Sequence, residues 1–357
     1  MNDPVQDALA SLLPPLLGTL TALEVIGRYL HPPLQPALIE RLEGQDVLLH
    51  AAMTAFEAAE WPEPMHPFRD QLSLACLHTL RAADGLRAAP GEPNPQFAAS
   101  RALRQTGRAL EALYPVTRVL PIVSRFFLQP KCEDITAGSP AGSGVLHASN
   151  DVGMRGGFSI YVPEWIDRSL PVPVVFALHG GSGHGRLFLW NWVREARSSG
   201  FIVVAPTARG DTWSLREPEV DAENLAGILA ELERHYVLDP TRRLLTGMSD
   251  GGTFTLLSGL DADSPFTHLA PVAASFHPMM IAMSEPERVR GLPVYLVHGA
   301  LDWMFPVSVG RTAAGALKAA GAAVVYREVG DLSHTYPRDE NAGILRWFWG
   351  DGVVCAS

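Results

Sequence analysis

The sequence predicts an α/β fold: a mostly parallel β-sheet flanked by helices, preceded by an all-helical segment. Three observations predict it. Apolar residues in the first 130 positions recur at helical spacing, whereas after residue 144 short apolar runs alternate with helical patterns. Those later runs are short and continuous, as in strands buried on both faces. One of them ends at Gly247 and passes into a helical pattern through Gly247-Met248-Ser249-Asp250-Gly251, the spacing of a sharp strand-to-helix turn.

In the helical segment, Leu16, Leu20, Leu23, Ile26 and Leu30 form the first stripe, Leu38, Leu42, Leu49, Met53 and Phe56 the second, and Leu72, Leu77, Leu80 and Leu86 the third. Prolines at Pro32-Pro33, between Pro62 and Pro67 and between Pro90 and Pro95 punctuate them. Further helices are expected over Phe97–Tyr114 and near Val119–Leu128. This gives an N-terminal helical bundle over 1–130. A linker follows over 131–143, where Lys131 to Ser143 is rich in Gly, Ser, Pro and Ala. The remaining 144–357 form the α/β domain. Its strands are expected at Phe158–Val162, Val172–Leu178, Phe201–Ala205, Arg243–Thr246, Leu269–Ala273, Val294–Val297 and Ala323–Val329. Helices between them are expected at Ala222–Tyr236, Val307–Ala320 and Asn341–Phe348. A parallel sheet covered on both faces follows, with any site at the carboxyl ends of its strands.

Composition narrows the function classes. A hydrophobic fraction of 47% and a charged fraction of 18% are those of a globular protein. A net charge of -10 argues against a nucleic-acid surface and against an anionic membrane partner. Cys76, Cys132 and Cys355 lie far apart and show neither zinc spacing nor a disulfide framework. The apolar stretch Leu12–Leu30 is broken by Pro14-Pro15 and carries Glu24 and Arg28, so no membrane span is expected. The first residues lack the basic start of a secretion signal, and a cytoplasmic location is expected.

The residues at the strand ends suggest chemistry. A serine hydroxyl becomes a useful nucleophile when it is exposed on a rigid turn beside a base, and Ser249 has that setting. The base is assigned to His334, after the last strand, and the orienting acid to Asp302, after the strand before it. Asp331 is the alternative acid. The oxyanion that attack creates needs two N–H donors. The amide of Asp250 supplies one, and Gly181 or Ser182, in His179-Gly180-Gly181-Ser182-Gly183, supplies the other. No metal and no cofactor is called for. Trp213, His277, Trp303 and Phe305 follow strands on the same side and are candidates for binding the substrate, or else are loop anchors.

Residues from about 144 to 350 resemble the α/β-hydrolase superfamily, and within it the esterases that include polyhydroxybutyrate depolymerases, feruloyl esterases and carboxylesterases. The resemblance rests on Ala177 to Gly183, on Val237 to Arg243 running into Gly247 to Gly252, on His298-Gly299 with Asp302, and on the late His334. It implies a Ser249-His334-Asp302 triad in the chain order of that fold, and hydrolysis of a small or oligomeric ester through an acyl-enzyme. A thioesterase or a peptidase would use the same residues. A non-catalytic scaffold binding a ligand or partner is the reading of another class. The helical segment is not needed for the chemistry, and a homodimer through it is one expected role.

Overall fold

The computed structural model describes residues 4–130, 132 and 140–350. The chain divides into two compact units between Phe127 and Leu128. The linker read at 131–143 falls largely outside the described residues.

The first unit is helical: α1 Pro4–Tyr29, α2 Gln35–Glu40, α3 Gln45–Ala58, α4 His66–Ala88, α5 Pro95–Leu113 and α6 Pro121–Phe126. Prolines stand at the first or second position of α2, α4, α5 and α6, where a missing N–H costs no helical bond. Pro14 and Pro15 lie inside α1, and the helix does not break there. Leu12, Leu13, Leu16, Leu20, Leu23 and Ile26 of this helix are buried, and that burial offsets the two lost backbone bonds. By length and composition alone α1 could also cross a bilayer. The α4–α5 seam uses small residues more than the leucine stripes suggest. Ala82, Ala83, Ala98, Ala99 and Ala102 share one core, while Leu77 is only half-buried. A Cβ added at Gly85 would lie 2.8 Å from that of Ala102, so the helices touch through glycine.

The second unit is built on eight strands: β1 Gly144–Ala148, β2 Phe158–Val162, β3 Val172–Leu178, β4 Ile202–Pro206, β5 Leu238–Met248, β6 His268–Val272, β7 Pro293–Gly299 and β8 Ala323–Val329. They form one sheet in the order β1-β2-β4-β3-β5-β6-β7-β8. β2 pairs antiparallel with both β1 and β4, and the remaining pairings are parallel. The helices are α7 Gly185–Phe188, α8 Val193–Ser199, α9 Glu219–His235, α10 Asp250–Gly259, α11 Met279–Ala282, α12 Pro286–Val289, α13 Val307–Ala319 and α14 Asn341–Trp349. The central strands are buried along their length: Val174 to Leu178, Ile202 to Ala205 and Val294, Leu296 and Val297 are 2% exposed or less. Their continuous Val-Ile-Leu runs therefore read as they do because both faces are covered.

Cys76 is a buried free thiol, pushed up to about 12 by burial. Cys132 is disulfide-bonded, a pairing that the wide spacing of the cysteines does not reveal. Spacing along a chain does not report proximity in the fold, and proximity is what a bridge requires.

Candidate active site

The turn at Ser249 joins β5 to α10 with no intervening loop. Ser249 has φ 56° and ψ -119°, a conformation that L-residues rarely adopt and that only surrounding structure can hold. Two contacts hold it: the Ser249 N–H donates to Val272 O at 3.0 Å, and Ser249 O accepts from Thr253 N–H at 2.8 Å. The flanking glycines are sterically required. A Cβ at Gly247 would come within 2.5 Å of Gly251 backbone, and one at Gly251 within 2.4 Å of His179 O.

Three polar side chains from three strand ends converge here. His334 Nε2 lies 3.0 Å from Ser249 Oγ. His334 Nδ1 lies 2.9 Å from Asp302 Oδ2 and 3.1 Å from Oδ1. A carboxylate only accepts, so Nδ1 carries the proton and Nε2 presents its lone pair to the serine hydroxyl. Asp302 is itself oriented: its Oδ1 accepts from Met304 N–H at 2.9 Å and from Phe305 N–H at 2.8 Å. The carboxylate against the imidazole is that of Asp302, while Asp331 is exposed. Ser249, Asp302 and His334 are nearly enclosed, with 8%, 7% and 7% exposure for serine, aspartate and the histidine side chain. Enclosure strengthens every polar interaction among them.

The amides of Gly181 and Asp250 donate to no group among the described residues. Asp250 is the first residue of α10, where a free N–H and the positive end of the helix dipole coincide. Gly180, beside it, lies against Ser249: a Cβ there would be 3.5 Å from that of the serine. The loop is a tight turn closed by Gly183 N–H to Gly180 O at 3.0 Å, with Ser182 at φ 53°. Ser182 is thus the corner of the turn. Asp250 also brings its carboxylate close to Gly181, and Thr212 Oγ1 donates to Asp250 Oδ2 at 2.6 Å.

The four substrate-binding candidates separate. Trp303 and Phe305 pack edge-on against the His334 ring, with centroids 6.2 Å and 5.3 Å away. Trp303 is 41% exposed and so forms an apolar wall open to solvent beside the base. His277 is exposed and its Nδ1 accepts from Met279 N–H at 3.2 Å, capping α11. Trp213 corrects the reading of a substrate contact. It is 2% exposed, stacks on Phe254, and donates its indole N–H to His179 O at 2.7 Å. It holds the glycine loop from beneath.

Sequence reasoning missed the rest of that support. His179 Nε2 accepts from Ala208 N–H at 3.1 Å, which leaves Nδ1 to donate to Gly180 O at 2.7 Å. His298, fully buried at the end of β7, faces Phe305 O through Nε2 at 2.9 Å and lies 3.6 Å from Asp302 Oδ2. A buried histidine near the acid loop was the available signal. No group of three or more metal-ligating side chains occurs among the described residues.

Residues 221–347 match the family model described as phospholipase/carboxylesterase. The chain is 27% identical over 184 residues to a bifunctional acetylxylan esterase/xylanase of Neocallimastix patriciarum, which covers 50% of this chain and 26% of that protein. The chain therefore spans about a quarter of the length of that curated relative. Among solved structures it is similar to a thermostable esterase, with 19% identity, TM-score 0.48, and 57% and 62% of the two chains covered. It is also similar to an acetyl xylan esterase from Aspergillus awamori, with 15% identity, TM-score 0.45, and 58% and 99% covered. With its sheet order and the turn at Ser249 between β5 and α10, the second unit has the α/β-hydrolase fold.

Proposed function

We propose that the second unit is a serine carboxylesterase. The observation that carries this reading is the line from Asp302 through His334 to Ser249, with 2.9 Å and 3.0 Å separations and the proton on Nδ1. In the proposed reaction, Ser249 Oγ attacks the ester carbonyl carbon while its proton passes to His334 Nε2. The imidazolium so formed is stabilised by the Asp302 carboxylate, which its two backbone donors keep in place. The carbonyl oxygen becomes an oxyanion and takes the N–H groups of Gly181 and Asp250. The tetrahedral species collapses, the alcohol leaves with the proton from Nε2, and an acyl-Ser249 remains. Water then delivers its proton to Nε2 and its oxygen to the acyl carbon, releasing the acid. Trp303 and Phe305 exclude water from one side of the imidazole and give an apolar acyl or alcohol group a surface to lie on.

The test is a panel of p-nitrophenyl esters of graded acyl length, run beside an acyl thioester and a p-nitroanilide peptide. The expected result is ester turnover with a burst of p-nitrophenol equal to the enzyme present. Turnover of the thioester or the anilide alone would move the assignment to that class, and no turnover of any would remove the enzymatic reading.

A further inference from the structure

The carboxyl edge of the sheet carries a second feature, which the serine and histidine do not use. Ser149, Arg155, Gly156, Gly157 and Arg209 line an open cavity of about 360 Å³. Two arginines and no acidic residue are among its lining residues, in a chain whose net charge is -10. The fold builds this place from separate loops. Phe158 at the start of β2 pairs with Pro206 at the end of β4. Antiparallel pairing therefore brings the loop entering β2, with Arg155, beside the loop leaving β4, with Arg209. Parallel β4, β3 and β5 put that edge on the same side as Ser249.

Neither arginine pairs with a carboxylate among the described residues. Arg155 donates Nη1 to Gly183 O at 2.7 Å and Nη2 to Asp211 O at 2.5 Å. Both acceptors are neutral carbonyls, so its position is fixed while its charge and remaining N–H groups are unspent. The guanidinium of Arg209 is exposed and makes no hydrogen bond or ion pair among the described residues. Two nearby carboxylates are engaged with other partners. Asp151 pairs with Arg186 at 2.9 Å. Asp221 is buried and accepts from the Arg209 and Ser214 N–H groups at 2.9 Å and 2.8 Å. Asp211 stands on the solvent side, exposed. The floor is backbone: a Cβ at Gly157 would lie 2.0 Å from Ser149 O, so only glycine fits there. Burial, and after it the cations Arg155 and Arg186, hold the nearby His184 below the ordinary imidazole range.

The cavity is linked to the serine by a short path. Gly180 touches Ser249, the turn from Gly180 brings the chain to Gly183, and Gly183 O receives Arg155. A turn spans less than about 7 Å between its end Cα atoms, and neighbouring strands are about 4.8 Å apart. With β4 two strands and β2 three strands from β5, strand spacing puts the loops that carry Arg209 and Arg155 about 10–15 Å from the Ser249 turn.

We propose that this cavity is an anion subsite, which binds a carboxylate or phosphate group carried by the ester substrate about 10–15 Å from the scissile carbonyl. Arg209 supplies the mobile fork and Arg155 the fixed one. The catalytic part of this proposal rests on the esterase reading; the binding part does not.

The binding arm titrates the full chain with inorganic phosphate and, separately, with acetate at low ionic strength, following thermal stability. Expected is stabilisation by one or both anions that weakens by about tenfold in apparent affinity in Arg209→Gln and partly returns in Arg209→Lys. Phosphate alone would mark a phosphate site and acetate a carboxylate site. The kinetic arm compares mono-p-nitrophenyl sebacate with p-nitrophenyl decanoate, equal in chain length and differing in a terminal carboxylate. A protein of net negative charge should repel the sebacate ester, so preference for it by kcat/KM is the signature of the subsite. Arg209→Gln should lower that sebacate-to-decanoate ratio by about tenfold, mainly through KM. No anion response in the wild type, or a response and a ratio that do not move in Arg209→Gln, overturns the proposal. Arg209-dependent anion binding with neither ester cleaved would leave the subsite standing and remove the esterase reading.

Discussion

Replacing Asp302 by Asn tests how the acid works, because the structure dictates which way the new amide must face. Asp302 Oδ1 accepts from two backbone N–H groups, those of Met304 and Phe305. An amide N–H₂ cannot stand there, so the Asn carbonyl oxygen takes that position and the amino group faces His334. His334 Nδ1, now opposite a donor, must accept, and its proton moves to Nε2. Nε2–H then points at Ser249 Oγ and cannot receive the serine proton. Geometry survives while the tautomer is inverted, and a loss of about 10⁴ in kcat is the expected scale. That is about 5.5 kcal/mol of transition-state stabilisation at about 1.36 kcal/mol per tenfold. The assay is kcat and KM for p-nitrophenyl acetate, with thermal unfolding followed in parallel. Asp302→Asn should melt close to the wild type, since both backbone bonds persist, whereas Asp302→Ala loses them and should melt lower. A loss under about tenfold in Asp302→Asn would refute the tautomer argument. Asp331→Asn serves as the control and should change kcat little.

Two further outcomes follow from buried groups. Trp213→Phe keeps the ring on Phe254 but removes the 2.7 Å bond to His179 O; a cost of about 2 kcal/mol lowers Tm by about 4–8 °C, and kcat should fall more than KM rises because the Gly181 amide is no longer fixed. Glu195 is 4% exposed and burial pushes its carboxyl above the ordinary range. A raised carboxyl pKa stabilises the fold at low pH and loses that contribution as pH rises, so the Tm of Glu195→Gln relative to wild type should increase as pH climbs above the ordinary carboxyl range. A flat or opposite difference in the melting curves would contradict it.

How much of this could be read from the sequence depended on how local each signal was. Ser249 follows β5 directly, Asp302 and His334 lie in the loops that leave β7 and β8, and the strands order them along one edge. The sequence therefore brings them to the same region without any knowledge of packing. Strands β2, β3 and β8 have the expected bounds because short apolar or alternating runs end at polar or glycine residues. The edge strand β1 gave no such signal, since Leu146 and His147 are exposed and only half of its pattern is apolar. Pro14-Pro15 reads as a break by local rules, and burial of the stripe on α1 overrides them. Trp213 lies next to the residues that shape the site, so sequence position suggests a substrate contact; only packing distinguishes a buried buttress from a pocket wall. The arginine cavity depends on two loops far apart in sequence, the one from Ser149 to Gly157 and the one that carries Arg209, and no local pattern joins them.

The account stands on Ser249 as the attacking group, and covalent labelling tests that most directly. The full chain is treated with a fluorophosphonate, and the modified residue is located by peptide mass spectrometry alongside the activity of Ser249→Ala. The account predicts one label, on Ser249, stoichiometric with loss of ester hydrolysis, and a folded Ser249→Ala protein whose kcat is lower by about 10⁴ or more. A label on another residue, or an alanine variant that retains ester hydrolysis, would contradict it.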